Sequence, residues 1–96
     1  MTKGYWVSMH QRVADPTKHA AYRELAQMAI DEAGGKLLVA GGKMETRELG
    51  SDNRTVVIEF PSFQAAVDAY ESDGYQRALS VLGDGAARDV RIVEGV

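Results

Sequence analysis

The chain has 96 residues, enough for one domain, with 45% hydrophobic residues, 26% charged residues and a net charge of −3. Acidic and basic residues are interspersed, which argues against a nucleic-acid partner, since nucleic acid is met by a net-basic face. The absence of cysteine excludes disulfides, thiolate catalysis and Cys-ligated metal sites.

Gly4 to Val13 alternates in the manner of a strand, with Tyr5, Val7 and Met9 on one face and Trp6, Ser8, His10 and Arg12 on the other. Asp15-Pro16 is a helix start, the carboxylate capping and the proline taking the first helical position. Tyr22, Leu25, Ala26, Ala29 and Ala33 then recur at core spacing, and Gly34-Gly35 ends the helix. Lys36 to Ala40 reads as a short strand broken by Gly41-Gly42. Lys43 to Leu49 is expected to continue extended after a bulge or turn.

Thr55 to Phe60 is too short for a globular helix and rich in β-branched residues, so it reads as a buried strand. Pro61 ends it, and Ser62 can cap a helix over Phe63, Ala66, Val67 and Tyr70. Ser72 offers a second cap before Tyr75, Leu79 and Leu82. A Gly83-Asp84-Gly85 loop leads into a last strand, Arg88 to Glu94.

The order β-α-β-β-α-β is the split βαβ pattern, giving an α+β, ferredoxin-like fold over residues 1–96. Both crossover helices lie on one side of an antiparallel sheet, so the other side is left without cover from its own chain. Val56, Ile58 and Phe60 form the more apolar set of their strand, and Tyr5, Val7 and Met9 that of the first; these are expected to face the helices. Trp6, Ser8, His10, Thr55, Val57 and Glu59 would then line the open face. A tryptophan and a valine there suit an interface or cavity better than free solvent, which predicts a homodimer with two sheets face to face.

Several residues carry candidate chemistry. His10, a titratable imidazole on a central strand, is a candidate general base or ligand contact. Its bland reading is a histidine hydrogen-bonded at a dimer interface. Glu59, a carboxylate in an apolar strand, needs a partner or a raised pKa; the alternative is a salt bridge across the dimer or an exposed strand end. The first and third strands are antiparallel neighbours, and His10 and Glu59 both come late in them. They are therefore separated by more than ~10 Å, at ~3.3 Å per residue, and do not form a dyad within one subunit. The same geometry gathers His10, Arg12, Arg54 and Arg88 towards one end, an anion-binding mouth or charges guarding strand edges. Trp6 is a candidate to stack on a ligand or to pack an interface. His19, in a first helical turn, reads as solvated, and Tyr22, Tyr70 and Tyr75 as core and rim. No histidine spacing suggests a metal site, and the glycine pairs lack a phosphate-loop pattern, so no cofactor is expected.

No apolar run approaches the ~18–20 residues that span a bilayer. Met1 to Trp6 lacks the apolar core of a signal peptide, so a cytoplasmic location and no membrane partner are expected.

At VVIEFPS (Val56 to Ser62), with Ala66, Tyr70, Ser72 and Tyr75 following, the sequence resembles the DUF1330 proteins. GYW at Gly4 to Trp6, Asp15-Pro16, GGK at Gly34 to Lys36, Gly41-Gly42 and the IVEGV terminus also match. The resemblance covers nearly the whole chain and implies a dimeric α/β-barrel built from ferredoxin-like subunits. It implies no reaction, because the family has no general assigned one. Relatives of this barrel type include heme-degrading and cofactor-free monooxygenases and muconolactone isomerase-like enzymes, an analogy of fold alone. Family members often carry arginine where this chain has Ala40 and Leu82, which implies an altered or absent anion site if those arginines hold one. Three readings follow. The first is a homodimer binding a small organic molecule, or nothing catalytic, in a cavity between sheets. The second is a cofactor-independent small-molecule enzyme with His10 as base and Trp6 as a cavity wall. The third, heme handling, could use only His10 as axial ligand.

Overall fold

The computed structural model describes residues 2–96. Its elements are β1 (Gly4–Val13), α1 (Pro16–Glu32), β2 (Lys36–Ala40), β3 (Arg54–Phe60), α2 (Phe63–Glu71), α3 (Asp73–Leu82) and β4 (Ala86–Glu94). The four strands form one antiparallel sheet in the order β2-β3-β1-β4, the ferredoxin-like arrangement.

The caps act where the sequence places them. The Asp15 carboxylate accepts from the backbone N–H groups of Thr17 and Lys18, with Pro16 opening α1. Ser62 accepts from Ala65 N, and Ser72, extended between α2 and α3, accepts from Tyr75 N. After α1 the chain reverses through Gly34 at φ 78°, and Gly35 donates to Ile30 O at 2.8 Å. Gly35 lies so close to Ile30 and Phe60 that a Cβ there would sit 2.5 Å from Ile30 Cγ2.

The core joins Trp6, Ile58 and Phe60 of the sheet to Tyr22, Ala26, Ala29 and Ile30 of α1 and Ala66, Ala69, Tyr75, Ala78 and Leu82 of α2 and α3. Val56, Ile58 and Phe60 face the helices as expected. The phase of β1 is the reverse of that expected. Gly4 pairs with Phe60, Trp6 with Ile58 and Ser8 with Val56, so all three share the helix-facing side. Trp6 is buried, with its ring 4.9 Å from that of Phe60 and 4.8 Å from that of Tyr75, and its Nε1–H donates to Ala66 O at 2.8 Å. Two physical facts decide the phase. One indole with a satisfied N–H buries more area than any residue of the Tyr5-Val7-Met9 set. Gly4, in phase with Trp6, lets the start of α2 approach: a Cβ there would meet Ser62 O at 2.4 Å. Tyr5, Val7 and Met9 therefore lie on the open face with Thr55, Val57 and Glu59.

Residues 43–49, expected to continue extended, form no strand and instead belong to an irregular loop between β2 and β3. Gly41, at φ 70°, donates to Thr55 O and turns the chain off the sheet edge, which leaves the following residues without a partner strand. β4 starts at Ala86 rather than Arg88, because β1 continues past a bulge to pair Arg12 with Ala87 and Val13 with Ala86.

Candidate functional site

β1 is flanked by β3 and β4, and its register sets His10 directly opposite Arg54 on one side and Arg88 on the other. The three side chains form a row across the sheet, on the face turned towards α1. The backbone of α1 lies close to that of α3 and farther from the strands, which it reaches through side chains such as Tyr22 and His19. Between its inner face and the sheet lies a cavity of about 710 Å³. His19, Tyr22, Arg23, Ala26 and Ile30, at positions i, i+3, i+4, i+7 and i+11 of α1, supply one wall. Trp6, Ser8, Val56, Ile58 and Val90 supply the opposite one.

One end of the cavity is polar and tightly organised. The hydroxyls of Tyr22 and Tyr75 are 2.6 Å apart. Arg88 donates to Tyr22 at 2.7 Å and to Tyr75 at 3.4 Å, and its guanidinium stacks 4.8 Å from the centre of the Tyr22 ring. The His10 and His19 rings meet edge to face at 5.5 Å. Nδ1 of His10 and Nε2 of His19 are buried without a hydrogen-bond partner among the described residues. Arg54 is exposed, folds against Gly41 and donates to Ala40 O at 3.3 Å.

The electrostatics follow from burial and like charge. Burial, then Arg88, Arg54 and His19, lowers His10 to about 4, so its imidazole is neutral at pH 7. Burial and Arg23 push His19 down as well. Burial raises the Tyr75 phenol, with the Tyr22 hydroxyl adding to it, so Tyr75 stays a protonated donor. Burial opposes charge on Arg88, yet the tyrosine oxygens around it leave it firmly protonated. Among the described residues, no carboxylate forms an ion pair with Arg23, Arg54 or Arg88. No group of three or more His, Asp or Glu is placed to hold a metal ion among the same residues.

Of the residues singled out in the sequence, Trp6, His10 and Arg54 line this cavity. Trp6 and His10 do so from the helix side of the sheet rather than the open face expected for them. Arg12 does not: the bulge between His10 and Arg12 carries it past the row, where it is exposed. Glu59 is on the other face and at the other end, opposite Tyr5, whose hydroxyl donates to it at 3.4 Å. Ala40 lies on the cavity wall, and Leu82 is buried in the core at 3% exposure. His19, Tyr22 and Tyr75 escaped functional notice in the sequence. The signal was present in the spacing of His19, Tyr22 and Arg23, which places three polar-tipped side chains on one helix face.

Comparison with known proteins bears on the fold and the family. The chain is similar to the RPA0582 protein of unknown function from Rhodopseudomonas palustris, at 22% identity over 97% of this chain and 80% of that one, with a TM-score of 0.69. It is similar in fold to SnoaB, a cofactor-independent oxygenase from Streptomyces nogalater, at 14% identity, 97% and 92% coverage and a TM-score of 0.61. Rv0793 from Mycobacterium tuberculosis shares the fold at 16% identity, 100% and 94% coverage and a TM-score of 0.54. No curated protein matches the sequence. The family model for a domain of unknown function, DUF1330, matches residues 3–96, and the chain belongs to that family.

Proposed function

We propose that the chain is a cytoplasmic, homodimeric domain that holds a small organic molecule in the cavity between its sheet and α1. The observation that carries this reading is the cavity itself: about 710 Å³, with apolar walls and polar groups converging at one end. Among the described residues no helix is long and apolar enough to cross a membrane. Dimerisation is supported by the open face, where Tyr5, Val7, Met9 and Val57 lie beside the exposed Val39 and Val93. An uncovered apolar face of this kind is what a second sheet would bury.

Native mass spectrometry of the purified protein, followed by denaturing analysis of what it carries, tests both parts. The expected result is a dimer with a small molecule bound. A monomer at micromolar concentration removes the dimer, and a protein that takes up no organic molecule removes the binding reading.

A second reading, a cofactor-independent enzyme with His10 as base, is favoured by one observation. His10 is an imidazole on the cavity wall whose Nδ1 has no hydrogen-bond partner among the described residues, which leaves it available to a substrate. SnoaB, a cofactor-independent oxygenase, has the same fold. On this reading His10→Ala abolishes turnover while the dimer persists; a fall in dimerisation or stability instead marks a structural histidine.

A further inference from the structure

The cavity's charge is opposite in sign to that of the protein. The chain carries a net −3. The cavity is lined by three guanidiniums, those of Arg23, Arg54 and Arg88, and by one carboxylate, that of Glu24, a net of +2 with neutral histidines. Arg54, His10 and Arg88 are also direct cross-strand neighbours. Arg54 and Arg88 flank the neutral His10 from the two neighbouring strands, about 10 Å apart at ~4.8 Å per strand spacing. Two like charges on one sheet face repel, and the usual remedy is a carboxylate between them. Here none is supplied by the protein among the described residues.

The tyrosine pair points the same way by proton count. Two hydroxyls bring two protons, and one lies between the oxygens at 2.6 Å. Arg88 donates to both oxygens and accepts from neither, so the second O–H finds no acceptor within the trio. Both tyrosines line the cavity, so that O–H is available to an acceptor placed there. Guanidiniums, a phenol donor and apolar walls together describe a site for an anion with an apolar body.

We infer that the occupant is an organic carboxylate, its charged end at the row of Arg54, His10 and Arg88 and its apolar body along Trp6, Val56, Ile58 and Val90. This rests on the reading of the cavity as a small-molecule site. A planar carboxylate matches the two-pronged guanidinium and accepts from the tyrosine pair at the same time. The apolar walls distinguish it from a bare inorganic anion.

Calorimetric titration of the full chain with benzoate, benzamide and inorganic phosphate tests the inference. Benzoate is expected to bind roughly tenfold or more tightly than benzamide, the ratio a charge-assisted pair supplies. Arg54→Gln, at an exposed position, is expected to weaken benzoate by a similar factor and leave benzamide unchanged. Inorganic phosphate is not expected to displace benzoate. Equal binding of benzamide and benzoate overturns the carboxylate and leaves the small-molecule reading standing. Displacement by inorganic phosphate at equal concentration overturns the apolar body. Binding of neither aromatic probe overturns both this inference and the reading beneath it.

Discussion

The hydroxyl of Tyr22 on α1 and that of Tyr75 on α3 are 2.6 Å apart, and the Arg88 guanidinium donates to both from β4. α1 is thus tied at one buried point to α3 and β4, more than fifty residues further along the chain. Each tyrosine is nearly closed to solvent, at 7% and 1% exposure, so loss of either oxygen leaves a partner unsatisfied. Tyr75→Phe is expected to destabilise the fold by about 1–2 kcal/mol. Urea denaturation of Tyr22→Phe, Tyr75→Phe and the double variant should show non-additivity of roughly 0.5 kcal/mol or more. Additive losses would mean the hydroxyls act separately.

His10 makes stability depend on pH. Its folded pKa is lowered to about 4 from 6.5, so the unfolded chain binds the proton more readily. Stability is complete above pH 6.5 and falls as the pH drops through the window from 6.5 to 4. The loss from this residue is on the order of 1–2 kcal/mol once solvent screening of a partly exposed ring is allowed for. His10→Gln should flatten that part of the profile. A variant with an unchanged slope between pH 6.5 and 4 would assign the loss to other groups.

Trp6 is held by both its rings and its N–H. Trp6→Phe keeps an aromatic group against Phe60 and Tyr75 but removes the donor to Ala66 O. A cost of about 1–2 kcal/mol is expected from the lost bond, and about 3–5 kcal/mol from Trp6→Ala, which also opens a void. If instead Trp6 lay on the open face, both changes would be nearly neutral in a monomer and would act on self-association.

Gly4 is the narrowest point between sheet and helix. A Cβ there would lie 2.4 Å from Ser62 O and 2.6 Å from Phe63 Cα, both backbone atoms that cannot rotate away. Gly4→Ala should cost about 1–3 kcal/mol by overpacking, read as a lowered melting temperature. Gly42→Ala, which meets nothing within 4 Å, is the matched control and should leave it unchanged.

Most of the architecture is legible in the sequence because its punctuation is local. Asp15-Pro16, Ser62 and Ser72 act within a few residues of themselves, and each caps the helix it announces. The pairing of His10 with the arginines is legible too, since antiparallel topology fixes which strand ends meet. The facing of β1 is not. Alternation separates two sets of residues but does not say which set is inside. Counting apolar residues favours Tyr5, Val7 and Met9, whereas one tryptophan with a satisfied N–H outweighs them. His19 illustrates a second limit: a position near a helix start reads as solvated, whereas here it shares the inward face with Tyr22 and meets the ring of His10. Arg12 illustrates a third, because a single bulge moved it off the row that its place in the strand suggested.

The alternation of β1 has a consequence for engineering. Positions 6, 8 and 10 look towards the cavity, and positions 5, 7 and 9 towards the bare side of the sheet. Substitution libraries at even positions can therefore retune what the interior accepts without rewriting the outer surface, and odd-numbered libraries can alter association without reshaping the interior. A one-residue deletion between Gly4 and His10 would exchange the two inventories over part of the strand, putting Trp6 or His10 outside. Length in this strand is constrained more severely than composition.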